Sequence, residues 1–175
     1  MTFKYVLLLA ALALSTSVRA APFITIGDDR FFLANPTPTL REYVPLGQTV
    51  DKWQELAAMR IFKDQKDPHA YLDRLAHQVV KSNPAARAQL VQSDETKEFI
   101  LDFMTFPATT TKPFYAEWNL FRATYVDGKG LVVYQYARRI YQLGPEIGSI
   151  VKAARQKMYK PFQAANFEEA EDAKQ

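Results

Sequence analysis

Two histidines, His69 and His77, are the side chains in this sequence whose type most readily suggests acid–base or metal chemistry. They lie eight residues apart in a segment with helical periodicity, and eight residues of helix rise about 12 Å. One metal ion therefore cannot be bound by both from one straight helix. Asp73 precedes His77 by four residues, so the two can pair on one helix face and orient a general base. No serine is tied to that pair by spacing, and the chain has no cysteine.

Motifs that identify common catalytic or cofactor sites are absent from the sequence. There is no G-x-S-x-G, H-E-x-x-H, Walker or G-x-G-x-x-G pattern, and six glycines leave little for a phosphate-binding loop. Asp28 and Asp29 are adjacent, so their side chains point apart and indicate a hydrated turn rather than a cation site. We predict no catalytic residue, no metal ligand, no cofactor and a non-enzymatic protein. Carboxylates distant in sequence can converge, as in glycoside hydrolases, so a small hydrolase stays open as an alternative.

The strongest candidate for recognition is one face of a β-hairpin. Two β-rich runs flank Asp127-Gly128-Lys129-Gly130, which is a strong hairpin signal. A two-residue turn at Gly128-Lys129 pairs Val126 with Leu131 and, by counting, Asn119 with Arg138. Alternation along the strands then places five polar or aromatic candidates on one face: Glu117, Asn119, Tyr134, Tyr136 and Arg138.

In this register Glu117 and Arg138 are diagonal neighbours that can form an ion pair. The opposite face carries Arg139 over Trp118 and is more aliphatic, so we expect both helices of the fold to cover it. The functional interpretation of the first face is a recognition surface. The alternative is an ordinary solvated sheet face, whose cross-strand pairs contribute about 0.2–1 kcal/mol each.

Strands and two helices must position this face. Asp67 is a good N-cap and Pro68 suits the first helical position, which predicts a helix over 67–82. A second helix is predicted over 145–160, with an apolar stripe and a basic exposed face. Strands are predicted at Phe23–Ile26, Phe31–Ala34, Leu40–Val44, Glu55–Phe62, Phe99–Phe106, Phe114–Val126 and Leu131–Tyr141; residues 85–92 are either a strand or an extension of the first helix. This order predicts an α+β fold: a single antiparallel sheet flanked by an internal helix and a C-terminal helix.

The beginning of the sequence has the pattern of a secretory signal peptide. Lys4 supplies a positive charge, Val6 to Leu14 is an apolar run, and Val18-Arg19-Ala20 fits a small-residue cleavage site. The run is shorter than the about 20 residues that span a bilayer, although a retained anchor is the alternative. We therefore predict cleavage after Ala20.

Three regions follow from this assignment: a signal peptide at 1–20, one globular α+β domain at 21–165, and an acidic, disordered tail at 166–175. Removal of Lys4 and Arg19 lowers the formal net charge of +3 by two, to +1. No nucleic-acid partner is expected at that charge, and no transmembrane segment is expected after cleavage. The predicted location is the periplasm or the outside of the cell.

A resemblance adds to this assignment. Glu42-Tyr43-Val44-Pro45-Leu46-Gly47-Gln48-Thr49, followed by Trp53 and Leu56, resembles the opening of small exported bacterial proteins. The order of elements resembles the Mog1/PsbP-type α/β sandwich, which includes periplasmic DcrB-like proteins, over most of the cleaved chain. The resemblance implies an accessory or binding module and brings no catalytic residue. We expect an exported accessory or binding protein whose partner is a protein or small ligand of the cell envelope; an immunity or inhibitor protein is a further alternative.

Overall fold

A computed structural model describes residues 21–93, 98–107 and 114–168. The predicted signal peptide, the predicted loop at 109–113 and the tail from residue 169 onward lie outside these ranges. The described elements are eight strands and two helices: β1 (Phe23–Ile26), β2 (Asp29–Pro36), β3 (Leu40–Val44), β4 (Glu55–Phe62), α1 (Pro68–Ser82), β5 (Arg87–Gln92), β6 (Phe99–Thr105), β7 (Ala116–Val126), β8 (Gly130–Ile140) and α2 (Ile147–Ala164).

All eight strands form one antiparallel sheet in the order β1-β2-β3-β4-β8-β7-β6-β5. Each half of the sheet is a four-stranded meander, and α1 connects the first meander to the second. The two halves meet where β4 pairs with β8, from Glu55 opposite Arg138 to Phe62 opposite Leu131. The predicted α+β fold with a single antiparallel sheet is confirmed, and the segment at 85–92, left open between strand and helix, contains the strand β5.

The first helix begins where its local signals place it. The Asp67 carboxylate accepts a hydrogen bond from the backbone N–H of Ala70 at 2.9 Å, and Pro68 is the first helical residue. Leu72 and Val79 are buried against β6, β7 and β8 in a cluster that includes Leu101, Phe103, Phe121, Leu131 and Val133. This side of the sheet is called the α1 face.

The second helix packs on the opposite side of the sheet, the α2 face. Val151, Ala154, Met158 and Phe162 are buried there against residues of both meanders, including Ile24, Phe31, Tyr43, Trp118 and Tyr136. Lys157 reaches Asp29 at the start of β2, while Arg155, two residues earlier, reaches Asp102 on β6. These strands lie five places apart in the sheet, or roughly 24 Å if it were flat, so the sheet curves around α2.

A buried ion pair fastens α2 to the second meander. The Asp102 carboxylate is 6% exposed. It accepts two hydrogen bonds from Arg155, at 2.5 and 2.9 Å, and one from the indole N–H of Trp118 at 2.9 Å. Every oxygen of the carboxylate therefore has a donor, as burial of a charge requires.

Two predictions about the helices were wrong. The helices do not share a face, because α1 and α2 pack on opposite sides of the sheet. Phe167, which follows the second helix, is 6% exposed and belongs to the α2-face core. The second helix runs from Ile147 to Ala164, later at both ends than the predicted range of 145–160.

Candidate functional site

The β7–β8 hairpin has a register one residue away from the predicted one. Val126 pairs with Gly130, so three residues (127–129) form the loop instead of two. Both Gly128 and Gly130 have positive φ angles, of 74° and 93°, a conformation that glycine adopts without strain. A Cβ on Gly130 would lie 2.6 Å from the carbonyl oxygen of Phe62, so β4 passes too close for any other residue.

This shift divides the five candidate residues between the two faces of the sheet. A change of one residue in register moves every side chain of one strand to the other face relative to its partner. Glu117 and Asn119 lie on the α1 face, with Arg139 and Ala137 opposite them. Tyr134, Tyr136 and Arg138 lie on the α2 face, opposite even-numbered residues of β7. The predicted single face and the predicted pairing of Glu117 with Arg138 are therefore wrong.

On the α1 face the polar side chains form a continuous hydrogen-bonded row. Arg60 donates to the Gln135 side-chain oxygen at 2.6 Å, and the Gln135 amide donates to Asn119 at 2.8 Å. Asn119 in turn donates to the Glu117 carboxylate at 3.1 Å. Asn119 and Gln135 are buried, at 1% and 8% exposure. The hydrogen bond between the two buried amides fixes the Asn119 side chain, and Asn119 in turn orients the Glu117 carboxylate at the end of the row.

The row ends in a cluster of aromatic rings around Arg139. The Arg139 guanidinium lies 3.7 Å from the centre of the Trp53 ring and 4.6 Å from that of Tyr115. Its Nε lies 3.9 Å from a Glu117 carboxylate oxygen, and among the described residues this Nε has no hydrogen-bond partner. Tyr115 contacts Tyr141 edge to face at 5.7 Å.

Exposed apolar side chains lie just before β7 and just after β8, at the end of the hairpin away from its turn. Tyr141 is 43% exposed, Leu143 is 40% exposed and Phe114 is 39% exposed. Six residues make up this aromatic end of the hairpin: Trp53, Phe114, Tyr115, Arg139, Tyr141 and Leu143. Tyr, Trp and Arg are the residue types enriched at the energetic centres of protein interfaces.

On the α2 face the three remaining candidates are held by the core or by neighbouring charges. The Tyr136 hydroxyl donates to Glu55 at 2.8 Å, and Arg138 lies 3.5 Å from the same carboxylate. Burial, followed by the nearby charge of Glu55, raises the pKa of Tyr136. Tyr134 packs against Phe167 at 4.7 Å between ring centres. Tyr136 has no exposed surface, so it is a core residue with a polar tip.

Both histidines lie on α1, whereas the five candidate residues lie on β7 and β8. The His77 side chain is 80% exposed and lies 3.5 Å from the Asp73 carboxylate, which agrees with the predicted spacing of the pair. His69 packs against Phe99, with 4.4 Å between ring centres. Within residues 21–93, 98–107 and 114–168, no group of three or more His, Cys, Asp or Glu residues is placed to hold a metal ion.

Sequence reasoning missed the partner of Arg139. It placed this cation over Trp118, whereas the structure places it over Trp53. Trp53 reaches the site because the Arg139 N–H donates to the Gln54 carbonyl at 2.8 Å, an addition to the β4–β8 ladder. Trp53 and Arg139 are 86 positions apart in the sequence, so no local signal indicates this contact.

The fold and this cluster define a single-sheet α+β protein with a preorganised aromatic and cationic surface. A protein-family model matches residues 24–168, which includes nearly all of the described fold, and the chain belongs to that family. No curated protein and no solved structure matches the chain. Among the described residues, neither helix has the length and apolar character needed to cross a membrane.

Proposed function

We propose that this chain is an exported accessory or binding protein that contacts its partner through the aromatic end. The observation that carries the proposal is the stacking of Arg139 on Trp53 and Tyr115, with the half-exposed ring of Tyr141 in edge-to-face contact with Tyr115. The partner is a protein or small ligand of the cell envelope.

Preorganisation supports this choice of surface. Arg139 is stacked at 3.7 Å on an indole ring that is itself 7% exposed, so the guanidinium is already ordered before a partner arrives. Rigid aromatic groups and an ordered arginine lose little conformational entropy on binding. The buried amides of Asn119 and Gln135, in contrast, are bonded to one another and offer a partner little.

The export part of the proposal rests on the sequence of residues 1–20. Cleavage after Ala20 would leave a chain that begins at Ala21, in the periplasm or outside the cell. The resemblance to Mog1/PsbP-type and DcrB-like proteins supports the same location and an accessory role. Mass spectrometry of the chain recovered from a periplasmic fraction tests the predicted cleavage and export. A recovered chain that retains Lys4 would contradict cleavage after Ala20.

The recognition part is tested by comparing two tyrosines of the same hairpin. Tyr141 lies in the aromatic end and is 43% exposed, while Tyr125 lies near the hairpin turn and is 42% exposed. The chain from Ala21 serves as bait in an envelope extract, with Tyr141→Ala and Tyr125→Ala as variants. We expect Tyr141→Ala to lose at least nine-tenths of the captured partner and Tyr125→Ala to retain it.

Equal capture by the two variants, whether retained or lost, would contradict the assignment to the aromatic end. Both positions are exposed, so neither substitution should lower the free energy of unfolding by more than about 0.5 kcal/mol. Thermal unfolding of each variant checks that a loss of capture is not a loss of folding.

A further inference from the structure

The sheet ends in two edge strands, β1 and β5, and only β1 is protected. An edge strand exposes unpaired N–H and C=O groups, which proteins shield by shortening, covering, bending or charging the strand. The strand β1 is four residues long, and three of them are buried: Phe23, Ile24 and Ile26. The turn that follows it lies against α2, because a Cβ on Gly27 would be 3.2 Å from Pro161.

The strand β5 has none of these protections. Its six residues pair with β6 in an unbroken register, from Arg87 opposite Met104 to Gln92 opposite Phe99, so no bulge interrupts the pair. No residue of β5, which is described in full, is buried, and Arg87, Gln89 and Gln92 are exposed. The strand contains no proline, and its one charged residue, Arg87, stands at its first position. A regular edge of this kind is a template for pairing with another chain.

The hydrogen-bond pattern shows which backbone groups of β5 face outward. The Ser93 N–H donates to the Glu98 carbonyl at 2.8 Å, and in antiparallel strands hydrogen-bonded pairs alternate with pairs that are not bonded. The odd-numbered residues of β5 therefore bond to β6, while Ala88 and Leu90 turn their N–H and C=O groups away from it. In the described part of the chain no strand pairs with β5 on that side, and no turn or loop bond reaches Ala88 or Leu90.

We infer that β5 pairs antiparallel with the β5 of a second copy of this chain, about a two-fold axis at Gln89, so that one sheet continues through both copies. The axis places Ala88 of each copy opposite the partner's Leu90. Each of these two equivalent pairs exchanges both N–H···O=C hydrogen bonds, which uses all the outward backbone groups of Ala88 and Leu90.

A second copy fits this edge because the two-fold axis matches the faces as well as the backbone. Ala88 and Leu90 lie on the α1 face, where they pack against the core, so their side chains extend that apolar layer across the axis. On the α2 face Gln89 meets the partner's Gln89, and each amide can both donate and accept. Arg87 lies opposite the partner's Val91, so no like charges face each other. The contact is thus self-complementary, as a two-fold interface requires.

The test measures the mass of the purified chain, as it is recovered from cells, by light scattering and sedimentation equilibrium. Gln89→Glu places two carboxylates opposite each other, about 4.5 Å apart between Cα atoms, and like charges directly opposite are destabilising. We expect a wild-type dimer and, at pH 7, a dissociation constant at least tenfold higher for Gln89→Glu. At pH 4, where carboxyl groups are largely protonated, the difference from wild type should disappear.

The matched control is Thr25→Glu, which adds the same charge at an exposed position of the other edge strand and should leave the dissociation constant unchanged. A wild-type chain that is monomeric at about 100 µM, where even a micromolar dimer is populated, would leave the edge to a segment of another protein and overturn the inference. Equal effects of Gln89→Glu and Thr25→Glu, or an effect of Gln89→Glu that persists at pH 4, would overturn it as well.

If Gln89→Glu does not fold, Ala88→Pro replaces it. The N–H that proline lacks faces outward at this position, so the bonds between β5 and β6 are kept, and circular dichroism checks the fold. The variant must be monomeric where the wild-type chain is dimeric, and a retained dimer would overturn the inference. Tyr141→Ala should leave the dimer unchanged, because β5 lies two strands away from β7 in the sheet; this separates the result from that of the aromatic end.

Discussion

Breaking the ion pair between Asp102 and Arg155 from one side should destabilise the fold strongly, and the loss can be measured from each side. Arg155→Met keeps most of the aliphatic part of the side chain on α2 but removes two of the three donors to Asp102. The carboxylate, 6% exposed, would then keep only the indole N–H of Trp118. A buried charge that has lost its partner is costly because neither water nor protein solvates it.

Breaking a buried ion pair from one side costs about 3–5 kcal/mol. The Arg155 side chain is 47% exposed, so water can reach that end of the pair, and we expect a loss of about 2–3 kcal/mol in the free energy of unfolding. Asp102→Asn retains an acceptor for Trp118 and leaves Arg155 free to turn into solvent, so about 1–2 kcal/mol is expected. The double variant should lose no more than Arg155→Met alone, because it contains no unpaired buried charge.

Urea unfolding followed by tryptophan fluorescence and far-ultraviolet circular dichroism measures these differences. The matched control is Lys157→Met, two residues further along α2, which breaks the contact of Lys157 with Asp29 at 2.7 Å. That pair is exposed, at 61% and 36%, and exposed pairs contribute about 0–1 kcal/mol. If Arg155→Met costs no more than Lys157→Met, or if the two single losses simply add, the reasoning about the buried carboxylate is refuted.

Gly130→Ala should lower the free energy of unfolding by about 2 kcal/mol or more, because it combines a φ of 93° with a backbone contact at 2.6 Å. Gly128→Ala, with a φ of 74° and open space around it, should cost about 1 kcal/mol; similar losses in urea titrations would argue against the close approach. The raised pKa of Tyr136, caused first by burial, means that the unfolded chain loses this proton near pH 10 and the folded chain only at higher pH. The stabilising effect of the neutral Tyr136 hydroxyl is complete below pH 10 and declines above it by up to about 1.4 kcal/mol per pH unit. Between pH 10 and 11 the free energy of unfolding of Tyr136→Phe should therefore fall less steeply with pH than that of the wild-type chain, and equal slopes of free energy against pH would contradict this. Asp67→Ala should cost about 0.5–2 kcal/mol through loss of the cap to Ala70, and Asp67→Asn, which can still accept that bond, should restore most of it in thermal unfolding.

Elements whose signals lie within a few residues were predictable from the sequence. The first helix was predicted from its cap and its first proline, and both act as expected: Asp67 bonds to Ala70 and Pro68 begins the helix. Strands β3 and β4 have the predicted bounds at both ends. In each case neighbouring residues determine the local conformation, so distant parts of the chain are not needed to predict it.

The hairpin register was not predictable in this way. The sequence Asp127-Gly128-Lys129-Gly130 is compatible with a two-residue or a three-residue loop. The choice coincides with the close approach of β4 to Gly130, a contact across more than sixty residues of sequence. Since side chains alternate, this one-residue difference separated Glu117 from Arg138 and also misplaced the helices, whose expected face was derived from the same register.

The contact of Arg139 with Trp53 shows a second limit of prediction from the sequence. Both residue types were visible in the sequence, and a stacked cation was expected, but on the wrong indole. Trp118 is instead buried on the α2 face, where its N–H is used by Asp102. The register of the hairpin places Trp118 and Arg139 on opposite faces, and the pairing of β4 with β8 brings Trp53 to Arg139. Both the register and the strand pairing depend on contacts between distant segments.

The curvature of the sheet around α2 also has a kinetic consequence. The apolar residues of the first meander on the α2 face, including Ile24 and Phe31, are covered by side chains of residues 151–162. Lys157 and Asp29, which join the two regions, are 128 residues apart. Folds dominated by such distant contacts fold slowly, because the entropy of loop closure is lost before the contact is gained. The first meander therefore keeps an apolar surface open until α2 docks, and in that interval the chain is available to chaperones and vulnerable to aggregation.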